Sequence, residues 1–225
     1  MIHNLGNLAR MHQAGRSLDY EGTFVYQHGD QLESLRIIHK AGTGGVRERL
    51  VSLNGAPREI IRTDSEVRCY LPDENAVLIE HRRADNRNFP ALLPDSLALL
   101  KGNYMIRAGK EGRVAGRKAV SVRIKPRDAY RYGYLLWVDE ASGLLLKATT
   151  LNEKNEMVDQ FAFTQLSIGG PIEREQLKSK FAMHRHVEQE SSTTAPVDPG
   201  WHVKSPPAGF KKIMEAKRSF PGKKY

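Results

Sequence analysis

The sequence is short of the ingredients on which several function classes depend. Its one cysteine, Cys69, excludes an internal disulfide and any site built from several thiolates. No stretch approaches the roughly 18–20 uninterrupted apolar residues that a membrane-crossing helix needs. The opening residues Met1-Ile2-His3-Asn4-Leu5 show no basic segment followed by a long apolar run, so no secretory signal is expected within this chain. The nucleophile pattern G-x-S-x-G and the phosphate-loop pattern G-x-x-x-x-G-K-S/T are both missing. Gly109 to Gly116 is glycine-rich, but no helix pattern follows to supply phosphate-binding amides, and it reads as a plain loop.

Metal and acid–base signals are equally thin. Histidines at 3, 12, 28, 39, 81, 184, 186 and 202 are scattered, and only His184 and His186 are close, so no metal site is expected. Carboxylate pairs can be drawn from Asp128, Asp139, Asp159, Glu59 and Glu80, yet among 26 acids the pattern selects none of them. No cofactor motif emerges. Acidic residues are outnumbered, 26 against 35 Lys and Arg, giving a net charge of +9 and a pI near 9.6. That balance favours anionic partners such as nucleic acid, phosphorylated lipid or an acidic peptide, with a merely solvated basic surface as the bland alternative. Lys and Arg are spread among strands and turns without an RNP-like signature or a recognition helix, which leaves nucleic acid a minor reading.

What is present is an ordinary globular composition, 40% hydrophobic over 225 residues, enough for one large domain or one domain plus a fragment. Leu5, Leu8, Ala9 and His12 fall at helical spacing and predict an opening helix of about four turns. From Tyr20 the period becomes two. Strands are predicted at Tyr20–Gln27, Gln31–Lys40, Val46–Leu53, Arg58–Thr63, Glu66–Leu71 and Ala76–His81, with Gly, Asn, Asp and Pro in the turns between them. Pro94-Asp95-Ser96 before Leu97–Leu100 and Gly102 predicts a short helix, and strand signals return at Tyr104–Ala108, Lys118–Lys125, Arg131–Asp139, Leu144–Asn152 and Met157–Ile168. A last helix is predicted over Ile172–Ala182.

These elements predict an α+β fold, mainly antiparallel β. Roughly ten strands with only two or three helices cannot cover a flat sheet, so the sheet should curl into an unclosed half-barrel around its helices. Residues 1–185 form that domain, 186–200 read as a polar linker, and 201–225 as the start of a second domain too short to bury a core of its own. Alternation places Phe24, Tyr26, Leu35, Ile37, Tyr134, Leu136, Phe161 and Phe163 on apolar faces, either as plain core or as the walls of a cavity for an acyl chain. Cys69 shares such a face with Val67 and Leu71 and reads as a buried, inert thiol.

Several of these segments carry a resemblance. Ser17-Leu18-Asp19-Tyr20-Glu21-Gly22-Thr23-Phe24-Val25-Tyr26, Glu33-Ser34-Leu35-Arg36-Ile37, Asn54-Gly55-Ala56-Pro57-Arg58-Glu59, Tyr132-Gly133-Tyr134-Leu135-Leu136-Trp137-Val138-Asp139 and Gln160-Phe161 are similar to the MucB/RseB family of bacterial periplasmic regulators. Trp201 with Pro207-Ala208-Gly209-Phe210 resembles the opening of that family's second domain. The resemblance implies a lipoprotein-carrier-like (LolA/LolB) half-barrel, a non-enzymatic function and a periplasmic location. It implies binding to the periplasmic part of a membrane anti-sigma factor, shielding of that part from regulated proteolysis, and release by lipopolysaccharide or another acylated anionic lipid. The family's signal peptide and most of its C-terminal domain are not found, so the chain reads as a mature fragment. A lipid or lipoprotein carrier is the alternative. Acyl chains are expected among the eight apolar residues just named, and phosphates at Arg82, Arg83 and Arg87 on the rim, since guanidinium forks suit phosphate.

Overall fold

The structure, a computed structural model, describes residues 2–81, 100, 102–182, 185–188, 203–210 and 212. The chain opens with α1 (Ile2–Ser17). Its inward stripe is Leu8, Met11 and Ala14, with Leu18 just beyond, the three- and four-residue steps that keep one helix face toward a core. The sequence pattern had put Ala9 and His12 on that stripe. Ala9 is exposed and His12 half-buried, because one residue turns a helix by about 100° and carries both away from the Leu8–Met11 line.

Twelve strands follow: β1 (Tyr20–His28), β2 (Gln31–Lys40), β3 (Arg47–Ser52), β4 (Glu59–Arg62), β5 (Glu66–Leu71), β6 (Ala76–His81), β7 (Tyr104–Val114), β8 (Arg117–Pro126), β9 (Gly133–Asp139), β10 (Leu145–Leu151), β11 (Met157–Ile168) and β12 (Arg185–Glu188). They form one sheet in the order β12-β6-β5-β4-β3-β2-β1-β11-β10-β9-β8-β7. The first six strands are a meander and the next five are another. Antiparallel pairing of β1 with β11, from Tyr20 opposite Ile168 to His28 opposite Asp159, makes them one surface. The end strands β12 and β7 are not neighbours, so the sheet is unclosed.

Two expectations change. Gly109 to Gly116 is not a loop: β7 runs on to Val114, and only Ala115 (φ 49°) and Gly116 (φ 76°) turn the chain into β8. Two successive positive φ values are what a tight hairpin turn requires. The helix expected over Ile172–Ala182 is reduced to a 3-10 turn at Arg174–Leu177, because the segment's backbone and apolar groups are claimed by the sheet instead. Lys40 Nζ donates to the Ile172 carbonyl, Arg49 Nη1 to the Gln176 carbonyl at 3.3 Å, and the Lys180 amide to Glu59 Oε2 at 3.0 Å. The helix expected at Leu97–Leu100 lies outside the described residues except for Leu100, which is helical, as are Gly102 and Asn103. β12 pairs parallel with β6 on residues that extend past the expected boundary at 185.

The sheet has an inner and an outer face. Leu8, Met11 and Ala14 of α1 pack with Leu100 against Phe24, Leu35, Ile37, Leu50, Val122, Ile124, Leu136, Val138, Leu145, Ala148, Phe161 and Phe163 on the inner face. On the outer face Ile38, Ile172 and Leu177 form a smaller cluster beneath the 3-10 turn. Both are needed, since a twelve-stranded sheet covered on one side only would leave the apolar residues of β2 in water.

Where the two meanders meet, the backbones come very close. A Cβ on Gly22 would stand 2.4 Å from the Gln165 carbonyl oxygen, beside the bulge between Thr23 and Phe24. Gly22→Ala is therefore expected to lower the unfolding free energy by about 1–3 kcal/mol. Gly15→Ala in α1, where nothing lies within 4 Å, is expected to raise it by about 0.5–1 kcal/mol. Urea midpoints of the two variants check this, and an unchanged midpoint for Gly22→Ala would contradict the close approach.

Candidate functional site

The eight apolar residues singled out in the sequence all reach the inner face, on four strands, β2, β1, β11 and β9, with β10 between the last two. Phe24 is paired with Leu35 on one side and Phe163 on the other; Tyr26 is opposite Phe161. Ala148 joins Phe161 to Leu136, and Tyr134 lies one step along β9 from Leu136. The phenylalanines meet edge to face, Phe24 and Phe163 with centroids 5.7 Å apart, Phe161 and Phe163 6.2 Å apart. Such geometry sets the positive ring edge against the negative face.

Exposure divides the eight. Phe24, Leu35, Ile37, Leu136, Phe161 and Phe163 are buried against α1 and its neighbours. Tyr134 is half-buried and Tyr26 is 37% exposed. Strand register places these two tyrosines at the same end of the sheet, so the inner face is sealed over most of its length and open at a tyrosine rim. Arg82, Arg83 and Arg87 lie outside the described residues.

At the same end of the sheet, but on its outer face, is a basic cleft that the strand pattern alone did not single out. It has a volume of about 270 Å³ and is lined by Arg123, Lys125, Arg127, Asp128, Gly133 and Asn155 among others. Arg123 and Lys125 come from the end of β8, Arg127 and Asp128 from the loop into β9, and Asn155 from the β10–β11 turn. Arg107 on β7 stands directly opposite Arg123, a like-charge pair that is unfavourable across a ladder unless an anion offsets it. Arg123 Nη2 donates to Asn155 Oδ1 at 2.8 Å. Arg123, Lys125 and Arg127 alternate along the end of β8 and just beyond it, and the strand pairing adds Arg107 and Asn155 to them.

At the far end of β1 the inner face carries charge instead. Tyr20, His39, Glu48 and Arg62 lie in one cross-strand row over β1 to β4. Tyr20 stacks on His39, centroids 4.4 Å apart; His39 Nδ1 donates to Glu48 Oε1 at 2.9 Å, and Arg62 Nη1 to Glu48 Oε2 at 3.0 Å. Burial pushes the Tyr20 phenol well above its usual range, Glu48 adds to this and Arg62 opposes it. The phenol is therefore a neutral, structural group. His39, scattered among the histidines in the sequence, could have been found by extending the Ile37 alternation one step further. Buried in this way, the row is a polar lock and not a catalytic constellation.

The β9–β10 hairpin holds α1 in place. Asp139, buried at the end of β9, accepts from Arg117 Nε at 2.9 Å and Nη2 at 3.1 Å, and from the Ser142 amide and hydroxyl at 2.9 and 2.7 Å. Arg10 Nη2 of α1 then donates to the Glu140 and Ala141 carbonyls, both at 3.2 Å. Gly143 (φ 80°) sits where any Cβ would come 3.2 Å from that of Arg10. Cys69, half-buried on β5, has its thiol pushed up chiefly by burial, which disfavours the nucleophilic thiolate. No group of three metal-ligating side chains occurs among the described residues.

An unclosed, mostly antiparallel sheet with α1 packed on its inner face defines a domain of the half-barrel type. The chain belongs to the MucB/RseB family: the MucB/RseB N-terminal domain matches residues 5–181. It is 36% identical over 173 residues to the sigma factor AlgU regulatory protein MucB of Pseudomonas aeruginosa, covering 76% of this chain and 53% of that protein. The sigma-E factor regulatory protein RseB of Haemophilus influenzae is 34% identical over 163 residues, 72% of this chain and 51% of that one. The chain thus spans about half the length of these relatives. Among solved structures, MucB in complex with MucA(peri) is similar with a TM-score of 0.63 and 33% identity, over 78% of this chain and 59% of that one.

Two measurements test the buried charges. Hydrogen bonds from Arg117 and Ser142 hold the Asp139 carboxyl below the ordinary aspartate range, although burial alone, the largest influence, would raise it. A depressed folded pKa stabilises above the unfolded value of about 3.9 and is lost as pH falls through the folded one. Asp139→Asn is therefore expected to cost about 2 kcal/mol at neutral pH and to flatten the acid limb of stability below about pH 4. A variant with the parent's acid limb would rule out this role. Glu48→Ala, which strands His39 and Arg62, is expected to cost about 3–5 kcal/mol by urea unfolding; a loss under about 1 kcal/mol would show the row to be dispensable.

Proposed function

We propose that this chain is the half-barrel portion of a periplasmic regulator. In this reading it binds the periplasmic region of a membrane anti-sigma factor, protects that region from regulated proteolysis and is released by lipopolysaccharide or a related acylated anionic lipid. The observation that carries the reading is the likeness, at 33% identity, to a MucB whose structure is a complex with MucA(peri). The net charge of +9 is compatible with an anionic releasing ligand.

Lipid release needs a ligand that favours the unbound state over the complex. Acyl chains enter at Tyr26 and Tyr134, the accessible members of the apolar set, and reach the buried residues beyond them as α1 yields. Arg82, Arg83 and Arg87 hold phosphates at the rim, and Arg123, Lys125 and Arg127 in the neighbouring cleft are suited to the same chemistry. A carrier of lipid or lipoprotein is the alternative reading, and the likeness to a MucB solved with MucA(peri) favours the regulator.

The test joins partner, protease and lipid. The protein is titrated with the periplasmic segment of its cognate anti-sigma factor, the segment's cleavage by the site-1 protease is timed, and lipid A is then added. Saturable binding, slowed cleavage and restoration of cleavage by lipid A are expected; no binding to the anti-sigma segment would sink the reading. Replacing both Tyr26 and Tyr134 with Ser is expected to weaken lipid A binding about tenfold, the equivalent of about 1.4 kcal/mol, with folding intact. Arg82, Arg83 and Arg87 changed together to Ala are expected to weaken binding of phosphorylated lipid more than of its dephosphorylated form. Equal losses would remove the headgroup assignment.

A further inference from the structure

The loop from β8 to β9 carries an arginine whose surroundings neither the sheet nor the binding reading explains. Arg131 belongs to an otherwise exposed loop, yet its side chain is only 9% exposed. Its guanidinium is paired with Asp128, donates through Nη2 to the carbonyl of Ala208, and lies 4.3 Å from the centroid of the Phe210 ring. Charge, carbonyl and aromatic face are the three ways of compensating a desolvated guanidinium, and here one side chain uses all of them. Two of the three come from a segment 77 residues further along the chain.

That segment is shaped for the role. Pro206 and Pro207 restrict its backbone, and the Phe210 amide donates to the Pro207 carbonyl at 3.0 Å, closing a turn. Gly209 occupies the third position of the turn with φ 79°, the left-handed region in which glycine is favoured. A Cβ there would stand 2.8 Å from Arg131 Nη2 and 2.9 Å from Asn103 Oδ1, so glycine is required by fit as well as by conformation. Asn103 is fixed in turn, since its carbonyl accepts from the Arg127 amide at 2.9 Å. Tyr104, the first residue of β7, is half-buried, packs against the inner core and senses the charges of Arg131 and Asp128. The notch formed by Asn103, Asp128 and Arg131 is thus footed on the sheet.

We propose that residues 203–210 are a strap that docks reversibly in this notch, with Arg131 as its ionic anchor and Phe210 as its cap. Docking sets the point at which the chain beyond residue 210 leaves the half-barrel, beside the basic cleft that Asp128 also lines. Every residue of the strap remains exposed, so what holds it is this one arginine-centred contact and not a buried apolar surface. An element held by so little burial opens at low free energy, and opening returns Arg131 to Asp128 and water. The strap is a two-position device, docked or free, independent of whether the protein binds an anti-sigma factor or a lipid.

The test uses the 225-residue chain without partner or lipid. In the docked state the Phe210 ring current shifts the Arg131 side-chain resonances upfield, and the Phe210 amide, bonded to the Pro207 carbonyl, exchanges more slowly than an open amide. Phe210→Leu, which keeps apolar volume but removes the ring, is expected to return those resonances to ordinary values. Gly209→Ala, which leaves both partners intact but fills the notch, is expected to do the same. In both, exchange at the residue 210 amide should rise about tenfold or more while the β1 and β11 amides, reporting the fold, stay unchanged. Arg131 resonances identical in the parent and both variants would overturn the proposal, as would unshifted Arg131 resonances in the parent. A shift lost in Phe210→Leu but kept in Gly209→Ala would overturn the docking geometry.

Discussion

The pairing of β1 with β11 is the contact on which the rest of the molecule depends. Among the antiparallel pairs every other one joins strands adjacent in the sequence, and can form as a hairpin with little chain to order. The β1–β11 ladder instead joins segments about as far apart as Thr23 and Thr164, whose backbone carbonyl and hydroxyl meet at 3.1 Å across 141 residues. Closing so long a loop costs more entropy than closing a hairpin, though the cost grows only slowly with length. What offsets it is concentrated at the seam: Phe24 from β1 meets Phe161 and Phe163 from β11, and Gly22 allows the backbones to approach. Without this seam there would be two separate meanders, each with one apolar face in water. With it there is one inner face, and a single helix can cover its middle.

The two ends of that face have opposite characters, and this follows from the residues along β1. Tyr20 at the start of the strand belongs to a buried row of ring, imidazole, carboxylate and guanidinium that fixes the register of four strands at once. A one-residue slip would remove every partner in the row, and leaving such charges unpaired in the interior is expensive. Tyr26, six residues later and about 20 Å away at strand rise, has no such lock and stays accessible. Entry of a ligand by way of Tyr26 and Tyr134 would disturb the end of the sheet opposite this row, while the row keeps its four strands in register. The basic cleft lies at the accessible end as well, on the outer face, so the apolar and cationic features share one end of the sheet but are separated by its thickness.

Alternation with a period of two was the part of this fold most legible in the sequence. It gave β5, β6 and β11 their limits and placed the eight apolar residues on what proved to be a single face. It works where a strand is buried on one side, because each second residue then reports its environment. Where that condition fails, the pattern misleads. β7 is an edge strand whose second half is exposed, so Gly109 to Gly116 had no alternation to show. The Ile172–Ala182 stretch has helical spacing but is held by Lys40, Arg49 and Glu59, contacts from strands more than a hundred residues away that no local window contains. The Arg131 notch escaped for the same reason. It is a meeting of elements far apart in the chain, and a string of residues holds the spacing but not the pairing.

A gated binding domain must hold its gate by an amount that its ligand can match. Leu8 and Met11 are the large side chains by which α1 closes the inner face, and fully burying a side chain of that size is worth about 1.5–3 kcal/mol. With Ala14 and the two Arg10 hydrogen bonds, lifting α1 from the sheet costs several kcal/mol, enough to keep the apolar face closed in the free protein. An acyl chain recovers about 0.8 kcal/mol for each buried methylene, so a chain of roughly ten carbons, worth about 8 kcal/mol, would suffice to match that cost. The sealed core seen here is therefore consistent with a lipid-responsive protein. A cavity standing open would bind weakly acylated molecules indiscriminately, whereas a face covered by α1 and Leu100 would admit only ligands whose chains bury enough surface to replace them.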